Sequence, residues 1–274
     1  MAPDASHLTV PMGLRIKHWL AVSPLAGALQ AMRRLWARIE GARHPELSLL
    51  RQEDRMIDTL LARIIKPDWH CLDVGGHLGS VSNLLRHLAP QGSLTIVEAS
   101  PGKSALLASS FPTATVHRVA VSDEDGEVSF FENLAQPGFS SLANRDTRGE
   151  TREIKVPARR LDDLIGEARV DFIKIDIEGF EFPALRGGQA VLEREKPVIL
   201  FEAGALGDDT IDASQADDMV RWLQDELGYD IYAAFDLYFE RPPISTEQFA
   251  AYRRYPFLAF NYFALPGDGS GPAI

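Results

Sequence analysis

The fold is decided by the stretch Trp69-His70-Cys71-Leu72-Asp73-Val74-Gly75-Gly76-His77-Leu78-Gly79, an apolar run that ends in glycines. Glycines after a strand let the backbone turn tightly and approach a ligand that a side chain would block. A helix that begins there points free N–H groups at the same ligand. We predict a strand over 69–74 and a helix over 77–88. A plain glycine-rich turn with no ligand remains the alternative for this stretch alone.

The glycine spacing differs from that of dinucleotide-binding turns. Those turns follow G-x-G-x-x-G, whereas this chain has Asp73 followed by Gly75 and Gly79. An acid before the glycines suits a ligand with a positive or hydroxyl-bearing group better than it suits a diphosphate.

Outward from this stretch, strand-like and helix-like segments alternate along the chain. Further strands are predicted over 93–97, 114–121, 170–175 and 197–201, and helices over 47–65, 101–110 and 182–193. Such alternation indicates βαβ units and an α/β fold with a mostly parallel sheet. Short strands are predicted at 128–131 and 153–156 with a mobile loop between them. The last two strands are predicted at 229–238 and 257–265, the final one antiparallel.

Acidic residues follow two of these strands. Glu98 ends the strand after the glycine turn and lies 23 positions beyond Gly75, close to the usual gap between a glycine turn and a ribose-binding acid. Asp176, Glu178 and Glu181 follow the strand at 170–175. Ligands of open α/β sheets bind at this strand edge, although Glu181 also suits the first turn of the next helix.

Composition excludes several classes of protein. The 274 residues carry a net charge of −11, which would repel a phosphate backbone, so we expect no nucleic-acid partner. The single cysteine, Cys71, permits no intrachain disulfide and reads as an inert buried thiol. No apolar run approaches the roughly 20 residues of a membrane span. We expect a soluble, cytoplasmic protein.

The first 43 residues are basic in this acidic chain, with six basic and two acidic side chains. Residues 14–39 read as two short amphipathic helices, which we expect to pack on the main domain or on a second copy of the chain. Peripheral contact with an anionic membrane is the alternative. We therefore divide the chain into a basic helical extension at 1–44, a main domain at 45–265 and a disordered tail at 266–274.

Several blocks resemble the FkbM family of S-adenosylmethionine-dependent methyltransferases. They are Asp73–Gly79, the Glu98 position, Val119–Val128, Ser140–Leu142, Val156–Leu164 and Ile173–Glu181, in the family's order. The chain departs from many members at Gly76-His77 and at Glu202-Ala203. The resemblance implies a Rossmann-like class I methyltransferase fold, with a mostly parallel seven-stranded sheet and helices on both faces.

The resemblance also implies a role for each matching residue. Asp73, Gly75, Gly76 and Gly79 would shape the methionine end of a cofactor site, Glu98 would hold the ribose, and Ser122 or Asp123 would lie near the adenine. Asp176, Glu178 and Glu181 would face the reacting centre, and we take Asp176, Glu178 and His77 as the catalytic candidates. Asp176 with Glu202 would hold a divalent cation, if the enzyme uses one.

The expected activity is methyl transfer from S-adenosyl-L-methionine to a hydroxyl of a small molecule or glycan, such as a sugar or secondary metabolite. One alternative is a non-catalytic cofactor-binding protein on the same fold. Another is an NAD-dependent sugar epimerase or dehydrogenase, which predicts G-x-G-x-x-G and Tyr-x-x-x-Lys motifs that the sequence lacks.

Overall fold

The computed structural model describes residues 15, 16, 19, 48–133, 151–177, 179–203, 211–254, 257–269 and 271. Most of the basic N-terminal extension, the predicted loop after residue 133 and Glu178 lie outside these ranges. No helix in the described ranges is long and apolar enough to cross a membrane.

Strands and helices alternate through the described residues, as the sequence predicts. In chain order they are α1 (Ser48–Ile64), β1 (Cys71–Val74), α2 (Ser80–Leu88), β2 (Leu94–Val97), α3 (Pro101–Ser110), β3 (Thr115–His117), β4 (Ala120–Val121), β5 (Gly126–Asn133), β6 (Thr151–Arg159), α4 (Leu161–Ile165), β7 (Phe172–Ile175), α5 (Glu181–Arg186), α6 (Gln189–Glu195), β8 (Val198–Glu202), α7 (Ile211–Asp225), β9 (Tyr229–Ala233), α8 (Ala234–Tyr238), α9 (Thr246–Tyr252) and β10 (Asn261–Pro266).

The main sheet has seven strands in the order β3-β2-β1-β7-β8-β10-β9. The strands from β3 to β8 in this order pair in parallel, and β10 runs antiparallel to both of its neighbours. This confirms the predicted fold class and the antiparallel final strand. Val74 at the end of β1 lies level with Val97 of β2 and Ile175 of β7, so three carboxyl ends meet at one sheet edge.

A second, three-stranded sheet lies beside the main one, in the order β4-β6-β5. Its long strands β5 and β6 pair antiparallel, and the two-residue β4 pairs parallel to β6. The predicted single strand at 114–121 is therefore wrong, because β3 and β4 belong to different sheets. The two strands predicted at 128–131 and 153–156 are confirmed and are longer than expected.

Two hydrophobic cores cover the two faces of the main sheet. One packs α4 to α7 against β7, β8 and β9, and the other packs α1, α2, α3 and α8 against the opposite face. All four residues of β1 are buried, which explains why three of them are apolar, Asp73 being the exception. Cys71 is buried there, and desolvation raises the pKa of its thiol to about 12, so it is the inert thiol that the sequence indicates.

Several predicted boundaries are wrong for local reasons. The helix predicted from His77 begins only at Ser80, because His77 and Gly79 have positive φ angles. The helix predicted over 182–193 is two helices separated by Gly187-Gly188. The strand predicted over 229–238 ends at Ala233, where α8 begins.

The predicted disordered tail also begins too early. Pro266 is the last residue of β10 and pairs with Tyr229, and the Gly267 N–H donates to the Gly228 carbonyl at 2.9 Å. These backbone contacts keep the start of the predicted tail in the sheet.

Candidate functional site

The glycine turn, residues 75–79, follows β1 and contacts the ends of β2 and β7. Gly75 has a φ of 82°, a backbone conformation that favours glycine. The N–H groups of Gly75 and Gly76 both donate to the Val97 carbonyl, at 2.9 and 3.1 Å. A Cβ atom on Gly75 would collide with the backbone carbonyl of Asp176. Only glycine therefore lets the ends of β1 and β7 approach this closely.

The other two glycines of the turn serve the packing of α2 and α3. A Cβ on Gly76 would strike the Ile96 side chain, and one on Gly79 would meet Phe111 and Leu107. Gly76 still contributes backbone to the wall of the cavity described below, but Gly79 does not. The structure thus gives Gly79 a role in the start of α2, away from the predicted ligand approach.

Glu98 is held by the backbone on both sides. Its Oε2 accepts from the His77 N–H at 2.9 Å and its Oε1 accepts from the Ser100 N–H at 2.8 Å. The residue is only 6% exposed, and it lines the cavity. Two backbone bonds fix the carboxylate, and each oxygen keeps a lone pair for a further donor.

A buried lysine links two of the predicted acids. The Lys174 ammonium on β7 lies 3.6 Å from Oδ1 of Asp73 and 3.5 Å from Oδ2 of Asp176, and it donates to the Gly75 carbonyl at 3.0 Å. Burial by itself lowers the pKa of this lysine, but the carboxylates of Asp176 and Asp73 outweigh it and hold the pKa above its usual value. Lys174 therefore stays charged at the sheet edge.

Asp73 lies beneath the cavity and does not form its wall. It is fully buried, accepts a short hydrogen bond from the Ser82 hydroxyl on α2 and pairs with Lys174. Through these contacts it holds α2 and β7 in place. The structure gives it an indirect role in the predicted site, since a fully buried carboxylate has no surface for a ligand.

A cavity of about 250 Å³ opens above the strand ends. Its polar wall contains Glu98, Lys103, Lys174, Asp176 and the backbone of the glycine turn with His77. Its apolar wall is formed by residues of β4 and β5 and by the loop after β7, namely Val119, Ala120, Val121, Phe130 and Ile177. The site therefore combines an acidic end, a cationic pair and an apolar slot.

Ser122 and Asp123, predicted near the adenine, lie outside the lining of this cavity. Asp123 is exposed, and the Ser122 hydroxyl donates to its carboxylate at 3.2 Å. The wall at this point is formed by the preceding residues, 119–121. The sequence argument missed these residues because they were assigned to the main sheet.

Glu181 forms hydrogen bonds with the backbone of the loop that follows β7. Its Oε1 accepts from the N–H groups of Ile177 and Gly179, at 2.8 and 3.2 Å. It is 8% exposed and does not line the cavity, so it corresponds to the alternative reading as a helix-start residue. The catalytic candidates at the cavity wall are Asp176 and His77, and Glu178 lies outside the described residues.

Among the charged residues of the cavity wall, Lys174 and Lys103 were not predicted from the sequence. Lys174 carried a signal, since it is a lone charge between Ile173 and Ile175 in a strand that is buried throughout. Lys103 is 7% exposed in the first turn of α3 and carries no comparable signal in the sequence.

The described residues contain no group of three or more acids, histidines or cysteines placed to hold a metal ion. Asp176, predicted to share a cation with Glu202, lies 3.5 Å from the Lys174 ammonium. The shared cation stays a prediction.

A protein-family model covers the strands that form this site. The family model described as the Methyltransferase FkbM domain matches residues 73–231, from Asp73 on β1 to Ile231 on β9. The chain belongs to the FkbM methyltransferase family. This confirms the resemblance carried by the glycine turn, the Glu98 position and the Asp176 block.

Individual relatives are more distant. Methyltransferase 1 of Beauveria bassiana is 26% identical over 145 residues, which cover 44% of this chain and 58% of that protein. NoeI of Sinorhizobium fredii, a 2-O-methyltransferase, is 28% identical over 61% of this chain and 75% of its own length. The chain thus spans less than two thirds of the fungal protein.

Among solved structures, an FkbM methyltransferase from Methylobacillus flagellatus KT matches 73% of this FkbM chain and 44% of its own chain. The TM-score is 0.46 and the identity is 16%, so this likeness adds nothing to the family match.

Proposed function

We propose that this FkbM protein is an S-adenosyl-L-methionine-dependent methyltransferase that methylates a hydroxyl group on a sugar, glycan or secondary metabolite. The observation that carries the proposal is the Glu98 carboxylate, anchored by two backbone N–H groups at the wall of a cavity above the glycine turn. An anchored carboxylate with open lone pairs suits the two donor hydroxyls of a ribose.

The remaining walls fit the rest of the cofactor by their chemistry. The apolar slot formed by Val119–Val121 and Phe130 suits a flat adenine ring. The Asp176 carboxylate at the end of β7 suits the positive charge of a sulfonium. Lys103 offers a cationic group for a carboxylate within the same cavity.

When bound, S-adenosyl-L-methionine would supply a methyl group on a positive sulfur, activated for in-line transfer to an oxygen. The protein then mainly holds the two reacting atoms in line and excludes other nucleophiles. Asp176 accepts the proton that the acceptor hydroxyl loses as the new C–O bond forms. Its side chain is 37% exposed, so an incoming acceptor can reach it. His77 and Glu178 are the other candidates for this proton.

Two lines of support come from outside the site. The family match covers the strands that form the cavity. NoeI, which is similar over 61% of this chain, is a 2-O-methyltransferase, and oxygen is the acceptor atom that we propose here. The class of acceptor molecule that we name for this chain is part of the proposal.

The experiment uses methyl-labelled S-adenosyl-L-methionine with a panel of methyl glycosides and phenolic compounds. We expect an O-methyl product, and we expect Asp176→Asn to reduce transfer by about 10²–10⁴-fold, typical for loss of an acid–base group. Asp218→Asn is the control, because Asp218 is an exposed acid that pairs with Arg221 far from the cavity. Both variants should bind S-adenosylhomocysteine within a few-fold of the native protein.

Four outcomes would change the proposal. Native transfer rates in Asp176→Asn would move the base to His77 or Glu178. Cofactor binding without transfer to any acceptor would favour a non-catalytic protein. Calorimetric binding of NAD in preference to S-adenosylhomocysteine would favour an epimerase or dehydrogenase. Transfer that a chelator abolishes would restore the divalent cation expected at Asp176 and Glu202.

A further inference from the structure

A second cavity of about 380 Å³ opens on the same sheet edge, beside α1 and α8. Seven of its ten lining residues are apolar or aromatic, and Phe235, Phe239, Tyr252 and Phe260 are among them. The family's cofactor motifs contribute none of the lining, so the cavity has no place in the site described above.

Strand register places this cavity within reach of the cofactor cavity. Phe260, which lines it, precedes β10, and its carbonyl accepts from the Ala203 N–H at the end of β8 at 2.8 Å. β8 in turn pairs with β7, which ends beside Asp176. Adjacent strands lie about 4.8 Å apart, so two strand spacings, roughly 10 Å, separate the end of β7 from the start of β10.

The charged groups of the second cavity are already engaged. Glu53 on α1 accepts from the N–H groups of Phe260 and Asn261, both at 3.0 Å. Arg241 lies over the rings of Phe235 and Phe239 and pairs with Asp236 at 3.3 Å. The cavity therefore has an acidic residue and a neutralised arginine, so it has no net positive charge to hold an anion.

The rim of the cavity exposes apolar surface to water. Phe239 and Leu258 are 56% and 53% exposed, and they are two of only four large apolar side chains that are exposed in the described ranges. Two such residues at the mouth of one aromatic cavity form a patch typical of a binding site.

We propose that this second cavity binds the uncharged, apolar body of the acceptor, such as an aromatic ring system or an acyl chain, while the acceptor hydroxyl extends to Asp176. The inference rests on the proposed function and narrows it: the acceptor is a molecule of at least about 10 Å with an apolar part, in place of a free sugar.

The test uses N-phenyl-1-naphthylamine, an uncharged aromatic probe whose fluorescence rises in apolar sites. The full chain is titrated with the probe while S-adenosylhomocysteine saturates the cofactor cavity. We expect saturable binding that Phe239→Ser and Leu258→Arg each weaken at least five-fold. Trp19→Ala is the matched control, because Trp19 is 55% exposed and does not line the cavity. The sulfonated analogue 8-anilinonaphthalene-1-sulfonate should bind at least five-fold more weakly than the neutral probe.

Equal probe affinity in the native protein and both rim variants would overturn the proposal. So would equal affinity for the sulfonated analogue, or no binding by the native protein, which would mean that the chain itself or a second copy covers the cavity. Calorimetry with S-adenosylhomocysteine on the same variants distinguishes a failure of this proposal from a failure of the proposed function. Unchanged cofactor affinity with lost probe binding supports both, whereas probe binding without any cofactor binding would overturn the proposed function alone.

Discussion

At the scale of single residues, the burial of Glu181 predicts how the stability of the protein changes with pH. Burial raises the pKa of its carboxyl above the ordinary value of 4.5, although the N–H groups of Ile177 and Gly179 act in the opposite direction. The folded protein therefore binds more protons here than the unfolded chain, so stability falls as pH rises from about 4.5 through the folded pKa.

Glu181→Gln should remove this decline, because a single oxygen accepts both loop hydrogen bonds and an amide oxygen can replace it. Urea unfolding between pH 4 and pH 8 measures it. We expect the free energy of unfolding of the native protein to fall relative to the variant as pH rises. Parallel curves for the two proteins would contradict a raised pKa at Glu181.

Single residues also show where sequence reasoning ended. The number of residues between Gly75 and Glu98 was enough to predict that Glu98 lies at the cavity wall. This works because strand–helix–strand units have a narrow range of lengths. The partner of Asp73 was not readable, since Lys174 meets it only when β1 and β7 pair, about 100 residues apart in sequence.

At the scale of elements, the start of α2 depends on Gly79. Its φ of 82° is costly for other residues, and an added Cβ would lie 2.8 Å from a ring carbon of Phe111. Gly79→Ala should therefore lower the free energy of unfolding by at least about 1–2 kcal/mol, the cost of a left-handed conformation alone.

Because Gly79 does not line the cavity, the folded fraction of this variant should bind S-adenosylhomocysteine within a few-fold of the native protein. Urea unfolding and calorimetry measure the two effects. A stable variant with lost cofactor affinity would return Gly79 to the ligand-approach role that the sequence predicts.

Helices and strands were predicted well where one long pattern dominates, as in α1, α3 and β1. The errors lie where a backbone angle or a second sheet intervenes. Gly187-Gly188 divides a single apolar pattern into α5 and α6, and hydrophobic periodicity does not report such a break. β3 and β4 read as one strand because only two residues separate them, and only their pairing partners assign them to different sheets.

At the scale of the whole molecule, we still predict that the basic segment before α1 is separate from the main domain. It carries the opposite charge from the rest of the chain, and the sheet and both cores of the described residues are built from later residues. A chain that starts at Pro45 should fold and bind S-adenosylhomocysteine within a few-fold of the full chain. Circular dichroism and calorimetry measure this, and loss of folding would show that the segment completes a core.

The central claim is that the Glu98 carboxylate holds the ribose of the cofactor. Isothermal titration calorimetry of S-adenosylhomocysteine against the native protein and Glu98→Gln tests it most directly, with Glu153→Gln as the control because Glu153 is an exposed acid on β6. We predict that the native protein and the control bind alike. Glu98→Gln should lose about 1.5–3 kcal/mol of binding free energy, the range for hydrogen bonds to a charged group. Equal affinity in all three folded proteins, or no binding by the native protein, would contradict the account.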